Sequence, residues 1–297
     1  MLSAQIRELA AENGIDALGF TDASVFIGYP LINSKRRDPK LSLPDAQSVI
    51  VAGIYIGGLT LPVWSDPFYG RTSRLYLSGF FCDVVKPLEL IKSFLIEQGY
   101  SAIICDSSGS EKSILPLKLA AVRAGLGWQG KHSLLISRKF GTFLALGGII
   151  TNAVLEFNTK EEPNHCNKCN KCQEACPLSA LERSFVLNRK RCLSSLLQKR
   201  KLSEDSKIVM ENRVGDCEIC QDACPWNKKH IENPLLTKLT LSFQKDIEKW
   251  NRYFYLPDLA DLTKEKYKEV FGPLKTDIPY DVFHRNVLIA MERVKNK

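Results

Sequence analysis

Eight of the ten cysteines of this chain lie between Cys166 and Cys224, and their spacing constrains the fold more than any other feature of the sequence. The first group ends with a cysteine followed by proline, and the second group repeats part of the same pattern. The cysteines are Cys166-x2-Cys169-x2-Cys172-x3-Cys176-Pro177, then Cys192, then Cys217-x2-Cys220-x3-Cys224-Pro225. Because this stretch has no long apolar runs, we expect bound metal to supply much of its stability.

The first group has the spacing with which bacterial ferredoxins hold 4Fe–4S clusters, where the fourth cysteine binds the other cluster. The proline helps to end the loop, since it fixes φ and lacks an N–H. The eight cysteines then supply four ligands for each of two clusters. Cluster one takes Cys166, Cys169, Cys172 and Cys224, and cluster two takes Cys176, Cys192, Cys217 and Cys220. Two zinc sites are the alternative that Cys-x2-Cys pairs would allow. The remaining Cys82 and Cys105 stand in apolar contexts and are predicted to be buried.

The composition is that of an ordinary globular protein. With 297 residues, 44% of them apolar and 25% charged, the chain can form one large domain or two modest ones. The longest strongly apolar run, Phe143 to Ile150, is far shorter than the roughly 20 residues that cross a bilayer. Residues 1–14 read as a helix and not as a secretion signal, so we expect a cytoplasmic protein without a membrane anchor. In that compartment dense cysteines are more typical of metal sites than of disulfides.

Hydrophobic periodicity predicts alternating helices and strands up to about residue 155, which points to an α/β or α+β domain. The predicted helices cover 3–13, 83–98 and 115–125, the predicted strands cover 17–23, 48–57, 101–105, 134–137 and 142–151, and two or three helices follow residue 231. The predicted class is α+β. It comprises an N-terminal α/β domain (1–158), a bacterial-ferredoxin-like domain for two 4Fe–4S clusters (159–230) and a short helical tail (231–297).

The order of motifs resembles the epoxyqueuosine reductases, which are cobalamin-dependent iron–sulfur enzymes of tRNA modification. AGLGWQGKHS together with CPWN is more specific than either motif alone, and reductive dehalogenases are the nearest relatives to exclude. The matching segments are RRDPKLSLPDAQSVIV (36–51), AVRAGLGWQGKHSLLIS (121–137), GTFLALGGI (141–149), HCNKCNKCQEACPLSAL (165–181), NRKRCLSSL (188–196), GDCEICQDACPWN (215–227) and HRNVLIAMERV (284–294).

The resemblance implies a base-off cobalamin between the catalytic N-terminal domain and the clusters. Electrons from an external donor such as ferredoxin or flavodoxin would pass through the clusters to the cobalt. The reduced cobalt would drive removal of the epoxide oxygen of epoxyqueuosine at the tRNA wobble position, and we expect a monomeric enzyme. The cobalamin contacts that the resemblance implies are Arg37, Gly127, Trp128, Lys131, His132, Leu135, Leu146, Ser194 and Glu218.

The glycine-rich loop GLGWQGKHS (125–133) allows two interpretations. Its three glycines would let the backbone approach a large flat ligand, with Lys131 and His132 contacting corrin amides or the nucleotide phosphate. The alternative is an ordinary helix end and tight turn, with Trp128 in the core. The loop follows a helix and precedes a strand, which is the reverse of a dinucleotide-binding fingerprint.

The family's proton donor is an aspartate at a strand end, ahead of the helix that leads into AGLGW. Asp106 stands at the strand end here, but it is five residues further from Gly125 than the family's aspartate. Counting back without a gap leads to Glu111 instead. Either acid can donate a proton if burial raises its pKa, and strand context favours Asp106. A solvated loop acid is the alternative for both.

Three features differ from the family pattern where the substrate is expected. Leu77 replaces the histidine that usually follows Tyr76, and Ser195 replaces an aromatic residue after Cys192. The longer C-terminal helical-repeat extension of some members is not expected here.

The positive charge of the chain, 41 Lys and Arg against 33 Asp and Glu, is concentrated between the cysteine groups. Residues 183–213 hold nine Lys and Arg against three Asp and Glu, which favours contact with the phosphates of a tRNA anticodon arm. Lys199, Arg200 and Lys201 are the candidate contacts, and a solvated helix face is the alternative.

Three classes of function remain open from the sequence. The leading one is a tRNA-modifying cobalamin reductase. The second is a cobalamin and iron–sulfur reductase of a small molecule, as in the dehalogenases, or of a partner's corrinoid. The third is an electron-transfer iron–sulfur protein fused to a binding domain.

Overall fold

The computed structural model describes residues 2–27, 37–81, 84–105, 114–157, 161–272 and 278–295. The chain forms two compact units. The first comprises Met1–Tyr55 and Cys82–Lys168, and the second comprises Ile56–Phe81 and Cys169–Lys297. Residues 56–81 therefore belong with the cysteine-rich half of the chain. The division into three sequence segments did not anticipate this grouping, and its boundaries stay a prediction.

The elements in chain order are α1 (Leu2–Glu12), β1 (Ala17–Asp22), β2 (Ser48–Tyr55), α2 (Arg74–Phe81), α3 (Val85–Glu97), β3 (Ala102–Cys105), α4 (Leu117–Arg123), β4 (Trp128–Gln129), β5 (Leu135–Ile136), β6 (Leu144–Thr151), α5 (Lys171–Glu174), α6 (Leu193–Leu197), α7 (Glu204–Val209), α8 (Ile219–Asp222), α9 (Lys228–Glu232), α10 (Lys238–Lys245), α11 (Ile247–Tyr253), α12 (Leu256–Ala260), α13 (Lys264–Phe271) and α14 (Tyr280–Lys295). The helices and strands predicted before residue 155 are all present, whereas α2 and β4 were not predicted.

The main sheet of the first unit has the order β1-β2-β6-β3, and every neighbouring pair is antiparallel. The α/β class predicted for the N-terminal domain is therefore wrong, because that class requires parallel strands. Alternation of helices and strands along the chain does not fix strand direction. The mixed α+β class of the whole chain stands.

The core of the first unit lies on this sheet. All eight residues of β2 are buried, as are seven of the eight in β6. Helix α4 packs on β1, β2 and β6, and α3 packs on β3, β6 and α1. Cys105 is fully buried in this core, which confirms its predicted role, and Cys82 lies outside the described residues.

The second unit is built from short helices. Beyond residue 231 the described residues contain α10 to α14, so the prediction of two or three helices was too low. Asp246 is the only residue between α10 and α11, so no loop separates the hydrophobic patterns of the two helices in the sequence. Only α14, with 16 residues, is long enough to give a clear helical periodicity. None of the helices in the described ranges has the length and apolar character needed to cross a membrane.

Candidate metal centre

The eight predicted ligands take part in no disulfide within the described residues. Seven of them, from Cys169 onwards, belong to the second unit, and Cys166 belongs to the first. Cys172 and Cys224 are buried, and the other six are partly buried. Thiols in partly enclosed positions fit metal binding.

The two cysteine groups form the same local structure. In each group the last cysteine but one lies in a four-residue helix, Cys172 in α5 and Cys220 in α8. The helices pack against each other, and each ends just before a Cys-Pro pair, Cys176-Pro177 or Cys224-Pro225. The repeat seen in the sequence is thus a repeat of structure.

The thiols predicted for cluster two lie close enough to affect one another's ionisation. Burial, followed by the charges of Cys217, Cys192, Cys172 and Cys176, raises the pKa of Cys220 well above its usual value. Burial likewise raises the pKa of Cys217 to about 12, with a smaller contribution from Cys192. Four thiolates in this setting need a cationic partner, and iron supplies one.

The arrangement does not resemble a site for one ion. Across the described ranges no group of three or more His, Cys, Asp or Glu side chains could hold a single metal ion. A 4Fe–4S cluster makes a different demand, because its four thiolates bind four separate iron atoms. The donor set of eight cysteines fits two such clusters.

Packing inside the first unit accounts for the glycine-rich loop. Gly127 has φ near +148°, and a Cβ there would collide with the carbonyl oxygen of Ile136. A Cβ on Gly130 would lie 2.6 Å from the His132 ring. Trp128 is buried and meets the His165 ring edge-on at 4.7 Å. These contacts match the interpretation as a turn with a core tryptophan.

His132 of this loop has unused bonding capacity, as does Gln129, whose Oε1 is also buried without a hydrogen-bond partner among the described residues. The His132 ring is 3% exposed, and Nδ1 accepts a hydrogen bond from the N–H of Leu134 at 3.2 Å. The proton therefore belongs on Nε2, which is buried and has no hydrogen-bond partner in the part of the chain that the structure describes. Burial, with the charge of Lys118, lowers the pKa of His132 to about 4. A buried N–H donor without an acceptor fits a polar group of a bound ligand.

The other predicted cobalamin contacts are dispersed over the two units. Arg37 is exposed, whereas Leu135 and Leu146 belong to the hydrophobic core of the first unit. Ser194 hydrogen-bonds Asp216 in the second unit, and Glu218 there is buried and paired with Arg74. The two candidate proton donors, Asp106 and Glu111, lie outside the described residues.

Fewer basic side chains of the segment 183–213 are available to contact RNA than its sequence suggests. Arg213 is buried and pairs with Glu211, and the guanidinium of Arg191 pairs with Glu182. Lys199, Arg200 and Lys201 are exposed in the connection between α6 and α7. The helix-face alternative therefore does not apply to these three residues.

Comparison with known proteins agrees with this description. Residues 165–227 match the family described as a 4Fe-4S double cluster binding domain. An epoxyqueuosine reductase from Synechocystis sp. is 33% identical over 211 residues, which cover 68% of this chain and 70% of that protein. The chain belongs to the epoxyqueuosine reductase family. In two further relatives the matched stretch spans about half of the protein, 52% and 47%.

Solved structures extend the likeness to almost the whole chain. An epoxyqueuosine reductase crystal structure superposes with a TM-score of 0.82 at 25% identity, over 99% of this chain and 82% of that one. Another, solved with an epoxyqueuosine-modified tRNA-Tyr stem loop, has the same fold, with a TM-score of 0.80 at 24% identity and the same coverage. A B12-dependent reductive dehalogenase shares the fold more distantly, with a TM-score of 0.53 at 16% identity over 83% of this chain and 36% of that one.

This epoxyqueuosine reductase family member has an apolar residue at one position where the family pattern has histidine. Tyr76 and Leu77 are both buried in α2. Ser195, at the other altered position, donates its backbone N–H to Cys192, as does Ser194. The second change thus leaves a backbone contact to a predicted ligand.

Sequence reasoning missed the charged residues beside the second cysteine group. Arg71 and Arg74 form ion pairs with Glu218 and Asp222, which are more than 140 positions away. No local spacing signals such pairs. The only trace in the sequence is that acidic residues alternate with Cys217, Cys220 and Cys224.

Proposed function

We propose that this chain reduces epoxyqueuosine to queuosine in tRNA, using two 4Fe–4S clusters and cobalamin. The observation that carries the proposal is family membership combined with eight cysteines, spaced as cluster ligands, in a double cluster domain. A structural neighbour solved with an epoxyqueuosine-modified stem loop supports the choice of an RNA substrate.

The cluster ligands follow the crossed pattern of the sequence. Cys166, Cys169, Cys172 and Cys224 would hold cluster one, and Cys176, Cys192, Cys217 and Cys220 would hold cluster two. The mutual electrostatic effects among Cys192, Cys217 and Cys220 support their place in one cluster. The clusters would accept single electrons from an external protein donor such as ferredoxin or flavodoxin.

Cobalamin is the second cofactor in this proposal, and when bound it would supply reduced cobalt to remove the epoxide oxygen. The fold shared with a B12-dependent dehalogenase supports it. His132 is the chain's best candidate contact, since its buried Nε2–H can donate to an amide oxygen or phosphate of the cofactor. Lys131, next to it, would add a positive charge.

The protein's own acids would supply the proton that the released oxygen needs. Asp106 is the first candidate and Glu111 the second. Replacing the true donor with Ala should abolish turnover while clusters and cobalamin still bind. Full turnover in both variants would reject this assignment.

A second candidate function rests on Leu77. An apolar side chain, buried where the family pattern has histidine, favours a different substrate such as a small organic halide. The fold shared with the dehalogenase is compatible with that chemistry.

Anaerobic turnover with two substrates tests these proposals. The reconstituted protein, with reductant, is offered an epoxyqueuosine-modified tRNA stem loop and, separately, a halogenated phenol. Conversion of the stem loop alone is expected. Dehalogenation without any loss of epoxyqueuosine would replace the first function with the second.

A further inference from the structure

Three acidic side chains alternate with the cysteines of the second group. Asp216 precedes Cys217, Glu218 follows it, and Asp222 stands between Cys220 and Cys224. All three acids are held by one segment, residues 71–74, which belongs to the same compact unit.

The contacts involve six side chains and one backbone amide. Arg74 Nη1 lies 2.5 Å from Glu218 Oε1 and 3.3 Å from Asp222 Oδ1. The backbone N–H of Arg74 donates to Glu218 Oε2 at 2.9 Å. Arg71 Nη2 lies 2.5 Å from Asp222 Oδ2, and Ser73 Oγ donates to Asp216 Oδ2 at 2.5 Å.

The central pair is buried, which makes its geometry important. Arg74 is 3% exposed and Glu218 is 2% exposed. Burying two charges costs several kcal/mol unless they are well paired and their remaining donors are satisfied. Arg74 meets this condition, because its Nε also donates to the carbonyl oxygen of Gly57 at 3.1 Å. Such a pair contributes fixed orientation more than net stability.

Two of the acids lie next to the predicted cluster ligands and fix the backbone there. Asp216 Oδ1 accepts from the N–H of Cys217 at 2.7 Å, and Glu218 is the residue at the start of α8, which contains Cys220. The segment 71–74 thus holds the loop on both sides of Cys217.

We propose that residues 71–74 form a clamp that positions the 216–222 loop around cluster two and raises the reduction potential of that cluster. The inference rests on the cluster assignment of the proposed function. Reduction adds negative charge to a 4Fe–4S cluster. By pairing with Glu218 and Asp222, the guanidinium groups of Arg71 and Arg74 offset the carboxylate charge next to the predicted ligands, which would otherwise oppose reduction. Arg74 and Ser73 act as positioning residues.

The clamp also reaches Tyr76. Helix α2 begins at Arg74, and the N–H of Tyr76 donates to Ser73 Oγ at 3.0 Å. Gly215 lies against the Tyr76 ring so closely that a Cβ there would be 2.8 Å from Cε2. The loop that carries Cys217 and the helix that carries Tyr76 are therefore fixed together.

The experiment compares Arg74→Met with Arg123→Met in the reconstituted full chain. Arg123 is a matched control, because its 2.5 Å ion pair with Asp22 lies in the first unit. Electron paramagnetic resonance at controlled potentials measures both clusters, and Cys192→Ser identifies the signal of cluster two. Iron loss to a chelator provides a second readout.

Arg74→Met should lower the ratio of reduced to oxidised cluster two about tenfold at a fixed potential. For a one-electron couple this is a fall of about 59 mV in the reduction potential. Cluster one should shift much less, and iron should leave the variant faster. Arg74→Lys, which keeps the charge, should recover most of the potential. The double variant Arg71→Asp with Asp222→Arg should have a cluster-two potential closer to that of wild type than either single variant has.

Equal potentials of cluster two in Arg74→Met and Arg123→Met would overturn the clamp, as would equal shifts of both clusters. Loaded wild-type protein is present in either of those cases, so the proposed function would survive. Wild-type protein that takes up no 4Fe–4S cluster would overturn the proposed function and the clamp together.

Discussion

At the scale of single residues, His132 shows how burial determines chemistry. Its Nδ1 accepts from Leu134 and its Nε2 carries the proton, so the imidazole stays neutral where an exposed histidine would titrate. A second proton would have to displace the Leu134 hydrogen bond inside the core. The ring can therefore serve as a constant hydrogen-bond donor across the physiological pH range.

This environment predicts a pH dependence of stability. The folded-state pKa of His132 is lowered to about 4 from 6.5, so between these values the unfolded chain binds a proton that the folded chain does not. The free energy of unfolding should fall as pH decreases through this window, by up to about 1.4 kcal/mol per pH unit from this residue. Urea unfolding of wild type and His132→Gln at several pH values measures it.

The His132→Gln profile should be flatter than that of wild type, but not flat. His230 adds a slope of the same sign, because burial also lowers its pKa to about 4. Identical pH profiles for wild type and His132→Gln would show that this histidine titrates normally.

Gly127 gives a second prediction at this scale. Gly127→Ala should lower the free energy of unfolding by about 2 to 4 kcal/mol, because the new methyl group meets the Ile136 carbonyl and the backbone has a positive φ. Gly14→Ala is the matched control, since Gly14 has φ +80° but open space around it. It should cost only about 1 kcal/mol. Similar losses in the two variants would mean that crowding at Ile136 is absent.

At the scale of elements, α14 holds the segment that carries the basic residues. Asn286 is fully buried and donates to the carbonyl oxygens of Leu197 and Val214, each at 2.9 Å. Arg285 Nη1 donates to the carbonyl oxygen of Lys199 at 2.5 Å. The backbone leading into residues 199–201 is thus fixed by a helix almost 90 positions later in the chain.

Asn286→Ala should cost about 2 to 4 kcal/mol, because the Val214 carbonyl loses its donor and the Leu197 carbonyl keeps only the 3.4 Å contact with Arg285 Nη2. Asn13→Ala removes an exposed hydrogen bond to Leu9 and should change stability by less than about 0.5 kcal/mol. Chemical denaturation compares the two. A loss below about 1 kcal/mol for Asn286→Ala would argue that solvent reaches these carbonyls.

The elements also show which features can be predicted from sequence. The cysteine ligands could be predicted because a cluster loop is a local structure, whose ligands stand only a few residues apart in the sequence. The strands were found for a similar reason, as β2 is buried along its whole length and β6 at seven of its eight residues. Their antiparallel pairing, the short tail helices and the pair of Arg74 with Glu218 depend on contacts between distant segments, and no local pattern records those.

At the scale of the whole molecule, the uneven charge predicts how RNA binding depends on salt. Replacing Lys199, Arg200 and Lys201 with Ala should reduce the slope of log K against log salt for a tRNA stem loop by about 2. Replacing Lys264, Lys266 and Lys268 in α13 removes the same charge elsewhere and should leave the slope nearly unchanged. Fluorescence anisotropy at several salt concentrations distinguishes the two variants. Equal effects would mean that net charge alone attracts the RNA.

The central claim is that this chain removes the epoxide oxygen of epoxyqueuosine in tRNA. The most direct measurement is mass spectrometry of nucleosides from epoxyqueuosine-containing tRNA after anaerobic incubation with the reconstituted protein and a one-electron donor. Wild-type protein should cause loss of epoxyqueuosine and an equal gain of queuosine, which is lighter by one oxygen atom, and a Cys220→Ser variant should cause neither change. Unchanged epoxyqueuosine, with both clusters and the cobalt shown to be reduced, would contradict the claim.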